Sequence, residues 1–263
     1  YRSLVESLDP HANISYVTID QIRNDISLCN TLVKADLLVV IAGMSVPGRY
    51  LSGFPVSPHE LVTLLDAVSK PVTLLCGTAA RYGFGMSGGK TVTGTEVVQN
   101  VFDVIVTGDG EIVVSELLKN SLNSDRIDPS LCRSNPQAIQ KFAVKGACIV
   151  VQHPFFPNHL ITEIETYRGC PRSITGGCSF CSEPNKGAPS FRAANGICQE
   201  IAALYDTGIR HFRIGNQPCI FSYMAKDAGS MEFPQPNPEA LEYLFHGIRT
   251  AAPDAETLHI DNA

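Results

Sequence analysis

The chain has 263 residues, enough for one large domain or two of ordinary size. Hydrophobic residues make up 44% and charged residues 17%, which supplies a core and argues against intrinsic disorder. Twenty Lys and Arg face 26 Asp and Glu for a net charge of −6, with no basic tract interleaved with aromatics and no apolar run near the ~20 residues that span a bilayer, so nucleic acid and membrane are not favoured as partners.

In chain order, residues 14–19 read as a strand, and Asp20 can cap a helix over residues 21–34. The continuous apolar run 37–41 suits a buried parallel strand. A Gly- and Pro-rich loop over 42–55 leads to a helix capped by Ser57 with Pro58 at its first position. Leu61, Leu64, Leu65 and Val68 make that helix's apolar face. Residues 72–76 and 104–106 are further strands, and 111–119 a helix. This rhythm predicts a doubly wound, Rossmann-like parallel sheet as a first domain over residues 1–150. The stretch 120–157 is broken by several X-Pro pairs, and the boundary is expected near Val151. The rhythm then restarts with a strand at 160–167, a loop at 168–187 and a helix at 192–205. A strand at 211–214, a helix from Pro238 to about Ala251 and a last strand at 257–260 follow. Such a second domain, residues 151–263, amounts to an incomplete β/α barrel, since closure of eight units takes roughly 250 residues.

The first residues form no signal peptide. The chain opens on Tyr1 rather than Met and stops just after an apolar run, so it reads as a piece of a longer protein. Nine cysteines are an odd number at irregular spacing, unlike a secreted disulfide framework. They imply a reducing cytoplasm, with some thiols reserved for metal. Cys29, Cys76, Cys148, Cys198 and Cys219 lie in or beside apolar runs and are expected in the core, whereas Cys132 lies in a polar stretch.

Cys170, Cys178 and Cys181 form the sharpest feature, in the run Arg168-Gly169-Cys170-Pro171-Arg172-Ser173-Ile174-Thr175-Gly176-Gly177-Cys178-Ser179-Phe180-Cys181. Two residues between the last two cysteines let both sulfurs grip one centre, and the glycines admit close backbone approach. Thiolates are natural ligands of iron–sulfur centres. A structural zinc site wants four ligands, and Cys198, Cys219, His153 or His159 could supply the fourth. A 4Fe–4S cluster with three thiolates instead leaves one iron open.

This loop resembles that of the radical SAM superfamily, Cys-x3-Cys-x-aromatic-Cys after the first strand of a partial β/α barrel. Here the first spacing is seven residues, and Phe180 stands at the aromatic position. The resemblance covers about residues 160–263. It implies a 4Fe–4S cluster on Cys170, Cys178 and Cys181, with S-adenosylmethionine on the open iron. It further implies reductive cleavage to a 5′-deoxyadenosyl radical fed by an external one-electron donor. Phe180 and the strand-ending residues Gly215, Asn216, Gln217 and Asp261 are the candidate contacts to S-adenosylmethionine, with ordinary loop capping as the other reading for the polar ones.

The first domain is similar to that of the cobalamin-binding subgroup, although Asp9-Pro10-His11 begins the cobalamin-ligating pattern and Ile14 stands where its glycine should. His11 therefore reads as a surface residue. Cobalamin without a histidine ligand would sit at the carboxyl ends of the strands, and the subgroup implies methyl transfer to an unactivated carbon of an unknown substrate. Residues 74–83 are similar to a segment of methylthiotransferases, an alternative weakened by the lack of cysteines for a second cluster. Gly85 to Thr91 looks like a phosphate-binding loop whose glycine count fails at Phe84. A zinc-stabilised binding module is the non-enzymatic alternative.

Overall fold

The computed structural model describes residues 12–43, 55–68, 71–84, 94–179, 181 and 183–262. They divide into two compact units, one ending at Cys132 and the other beginning at Arg133. Each is a mixed α/β arrangement around a three-stranded parallel sheet. No closed barrel forms among the described residues, and no helix among them is long and apolar enough to cross a membrane.

In the first unit, β1 (Leu37–Ile41), β2 (Val72–Cys76) and β3 (Val104–Ile105) pair in that order. Side chains of the middle strand are sealed, with Leu74 and Leu75 at 0% exposure. Burial of the middle strand on both faces explains why it reads as continuous apolar sequence. The helices are α1 (Ile19–Asn24), α2 (Cys29–Leu32), α3 (Pro58–Asp66), α4 (Thr78–Tyr82), α5 (Thr95–Val98) and α6 (Gly110–Lys119). For α3, Ser57 Oγ accepts from the Glu60 N–H at 3.2 Å and Glu60 reaches back to the Ser57 N–H, so the capping box fixes its start. Leu61, Leu65 and Val68 are buried as expected. Leu61 and Leu65 join Leu75, Ala79, Val98 and Phe102 in one cluster.

Two expectations at the start of the chain fail for local reasons. Residues 14–18 form no strand. Thr18 and Gln21 make a reciprocal capping box, so a helix begins at Ile19 and Thr18, not Asp20, is its cap. The helix expected over 21–34 breaks at Asp25, which is extended (φ −142°, ψ 92°). Its carboxylate accepts from the Ser27 N–H at 3.0 Å and starts a separate 3-10 turn, Ile26–Leu28.

The second unit carries β4 (Ile161–Glu165), β7 (His211–Gly215) and β8 (Thr257–Ile260), ordered β4-β7-β8. A short antiparallel ribbon, β5 (Tyr167–Arg168) with β6 (Ser190–Phe191), stands beside them. Its helices are α7 (Ile139–Lys145), α8 (Ala194–Asp206) and α9 (Pro238–Ala251). Thr162 and Ile164 of β4 are buried, as are Phe212 and Ile214 of β7. Ile164, Phe212 and Ile214 pack with Ile197, Ile201, Leu204, Leu244 and Ile248 of α8 and α9. The opposite face is polar, with Glu163, Arg213 and His259 in register across the three strands.

The division falls earlier than Val151. The reason is packing: Ala147 and Val150 belong to the core under α8. Gln137 donates to the Phe191 carbonyl at 3.0 Å and accepts from the Ala193 N–H at 2.7 Å. Residues 133–157, the later part of the irregular stretch 120–157, therefore belong to the second unit.

Candidate metal centre

The cysteine loop leaves the carboxyl end of β4 through fully buried Thr166 and Tyr167. Gly169 takes φ +91°, and a Cβ there would lie 2.5 Å from the Ala188 carbonyl oxygen. That close approach lets the Cys170 N–H donate to the Gly187 carbonyl at 2.9 Å and close the loop's base. The seven residues after Cys170 are a 3-10 turn, Pro171–Thr175, followed by Gly176 and Gly177 at φ +88° and +74°. Two left-handed residues reverse the chain at little cost only if both are glycine. The long spacing is thus a compact detour that returns the chain to Cys178. The Cys181 N–H then donates to the Cys178 carbonyl at 3.2 Å, which folds the last two cysteines into one tight turn.

Cys170 is buried and Cys178 and Cys181 half-buried. Burial pushes the Cys170 and Cys181 thiols above their ordinary range, and the neighbouring cysteines push Cys170 further the same way. Among the described residues no three His, Cys, Asp or Glu side chains form a ready-made site for a single ion. Of the residues considered as a fourth zinc ligand, Cys198 faces Gly247 between α8 and α9, and His153 accepts from the Phe155 N–H at 3.2 Å. His159 is exposed, and the Cys219 main chain is held by the Tyr167 hydroxyl.

Two of the sulfurs accept an N–H: Arg172 Nη1 donates to Cys178 at 2.9 Å, and the Glu183 main chain donates to Cys181 at 3.4 Å. Beside them Glu183 and Lys186 form a buried ion pair. Burial holds the Glu183 carboxyl above its usual range, against the opposing pull of Lys186.

The expected strand-end residues meet at the carboxyl edge of the same sheet. Gly215 ends β7 beside Glu165 of β4. Asn216 is exposed at φ +59° and donates to Glu165 Oε2 at 3.1 Å. Gln217 is 1% exposed and already committed. Its Oε1 accepts from Thr166 Oγ1 at 3.3 Å, and its Nε2 donates to the Ile214 and Asp261 carbonyls at 3.1 and 3.2 Å. The Gln217 side chain thereby ties the ends of all three strands together. Asp261 pairs with Arg213. Phe180 lies outside the described residues. Arg172, Glu183 and Glu232 went unnoticed in the sequence. The only signal for Arg172 was its place two residues after Cys170.

All nine cysteines are free thiols. Cys76 is in the core as expected, but Cys148 is exposed, because the 3-10 turns of Gly146–Gln152 rotate it away from the side that buries Ala147 and Ile149. In the first unit, the carboxyl ends of β1 and β2 meet backbone to backbone, with the Ala79 N–H donating to the Ala42 carbonyl at 2.9 Å. Arg81 donates to the Gly108 carbonyl at 2.5 Å and pairs with Asp109 at 3.1 Å. His11 and the segment Gly85 to Thr91 lie outside the described residues, as do residues 44–54 between β1 and α3.

No family model matches the chain. It is 42% identical over 257 residues to an uncharacterized protein of Methanocaldococcus jannaschii, covering 96% of this chain and 46% of that protein. It is 36% identical over 263 residues to an uncharacterized protein of Archaeoglobus fulgidus, covering 98% of this chain and 42% of that one. The chain thus spans less than half the length of these curated relatives.

Proposed function

We propose that this chain is part of a radical SAM enzyme of the cytoplasm. Its first unit would be a doubly wound domain like those that bind cobalamin, and its second the first half of a β/α barrel. The observation that carries the reading is the gathering of Cys170, Cys178 and Cys181 on one glycine-hinged loop at the carboxyl edge of a parallel sheet. In α/β proteins that edge is where ligands bind.

The donor set suits an iron–sulfur cluster. It has three thiols and an N–H for two of the sulfurs, and Gly169 leaves no side chain where the loop closes on the Gly187 and Ala188 backbone. When bound, a 4Fe–4S cluster with one open iron would chelate S-adenosylmethionine and supply the electron that cleaves its sulfonium to a 5′-deoxyadenosyl radical. This chain's own residues bind and orient. Cys170 anchors the buried side of the loop, while Cys178 and Cys181 hold its half-exposed side. Asn216 and the Gly215 main chain border the cofactor's side, and Gln217 fixes their height by tying three strand ends. The substrate is unknown, and an external donor supplies the electron. Methyl transfer through cobalamin would use the carboxyl edge of β1–β3.

Anaerobic reconstitution tests this reading. About four irons per chain, with cleavage of S-adenosylmethionine to 5′-deoxyadenosine under a strong reductant, is the expected result. Alanine at Cys170, Cys178 or Cys181 should abolish both. One zinc per chain and no iron would make it a zinc-stabilised module instead.

A further inference from the structure

We infer that Arg172 is a positioning and potential-setting residue for the cluster, held in place by Glu232. The inference rests on the cluster assignment proposed above. Arg172 touches one of the three sulfurs, donating from Nη1 to Cys178 at 2.9 Å. The guanidinium is anchored from the other side. Its Nε donates to Glu232 Oε1 at 2.8 Å, and its central carbon lies over the Phe233 ring, 5.7 Å from the centroid. Glu232 and Phe233 come from the long loop between β7 and α9, sixty residues away in sequence. An arginine tethered this way presents a fixed cation and a fixed N–H to Cys178.

The physical consequence concerns one redox step. A low-potential one-electron reductant gives one electron to the cluster, no bond breaks, and the site gains one negative charge. A cation and an N–H donor on a ligating sulfur stabilise the more negative state, and hydrogen bonds to sulfur are among the levers that set cluster potentials. Arg172 therefore makes the cluster easier to reduce. Glu232 limits that effect by partly neutralising the guanidinium, and holds the geometry in return.

The test is a redox titration of the anaerobically reconstituted full protein, followed by electron paramagnetic resonance, for wild type, Arg172→Gln, Arg172→Lys and Glu232→Gln. Arg172→Gln is expected to weaken one-electron reduction by about tenfold, about 59 mV for one electron. Arg172→Lys keeps the charge but not the fork and should fall between. Glu232→Gln should move the potential the other way or leave it near wild type while lowering iron retention. Equal potentials for wild type and Arg172→Gln at equal iron content would overturn the inference while leaving the cluster intact. If Arg172→Gln takes up no iron, Arg172→Lys decides by the same criterion. Failure of the wild type to take up iron would instead overturn the cluster assignment itself, and this inference with it.

Discussion

At the scale of single residues, the nine thiols do not behave alike. Cys76 is 2% exposed, and burial pushes its thiol up to about 12. At pH 8 it stays protonated and shielded, whereas reactivity belongs to accessible thiolates. Iodoacetamide at pH 8 should label exposed Cys132 and Cys148 in the folded protein and spare Cys76 until denaturant is added. Peptide mapping by mass spectrometry reads this, and early labelling of Cys76 would contradict its placement. The glycines of the cysteine loop make a sharper pair. A Cβ at Gly177 would sit 2.0 Å from the Pro184 ring, whereas one at Gly176 meets nothing within 4 Å. Both substitutions strain a left-handed residue by ~1–2 kcal/mol. Gly177→Ala should therefore lower iron uptake and melting temperature clearly more than Gly176→Ala. The thiol trio was legible because its spacing is written in sequence. Arg172 and Glu232 were not, because their meeting depends on a loop sixty residues on.

At the scale of elements, capping decides more than strand propensity does. The run ending at Ile19 has the β-branched composition of a strand, yet the Thr18–Gln21 box makes it a helix start. The Ser57–Glu60 box and Pro58 were legible because the whole signal lies within four residues. Ser57→Ala should destabilise the first unit by ~1 kcal/mol in urea unfolding. Arg23 on α1 holds the Glu60 carboxyl below the ordinary carboxylate range through paired hydrogen bonds. Because the folded value is depressed, this stabilisation is present above the unfolded carboxylate value of ~4.3 and lost as pH falls through the folded one. For so exposed a pair it is worth ~0.2–1 kcal/mol, and Glu60→Gln should flatten the acid limb of the stability curve by no more. The buried pair of Arg192 and Glu200, 5% and 2% exposed and 2.8 Å apart, matters more. Arg192 Nη1 also donates to the Glu165 carbonyl at the end of β4, and its own carbonyl accepts from the Tyr223 hydroxyl. Arg192→Met strands a buried carboxylate and should cost ~3–5 kcal/mol. A loss below 1 kcal/mol would show that the pair is not buried in solution.

At the scale of the whole chain, the six strands of the two parallel sheets and their longer helices were readable from apolar runs and Pro and Gly punctuation. The division between units was not, since the breakers run from 120 to 157 with no mark at residue 132, while Ala147 and Val150 pack beneath α8. The β5–β6 ribbon was also invisible, because two-residue strands carry no periodicity. The polar face of β4-β7-β8 has a plain reading in these terms. Glu163, Arg213 and His259 lie in one row on it, so this face is polar and not part of the core. The central claim is that the cysteine loop carries a cluster with one coordination position free. Electron paramagnetic resonance of the anaerobically reduced protein, with and without S-adenosylmethionine, addresses it most directly. The expected result is a cluster signal that changes shape when S-adenosylmethionine is added and vanishes in Cys178→Ser. A reconstituted protein with no such signal, or with one indifferent to S-adenosylmethionine, would contradict it.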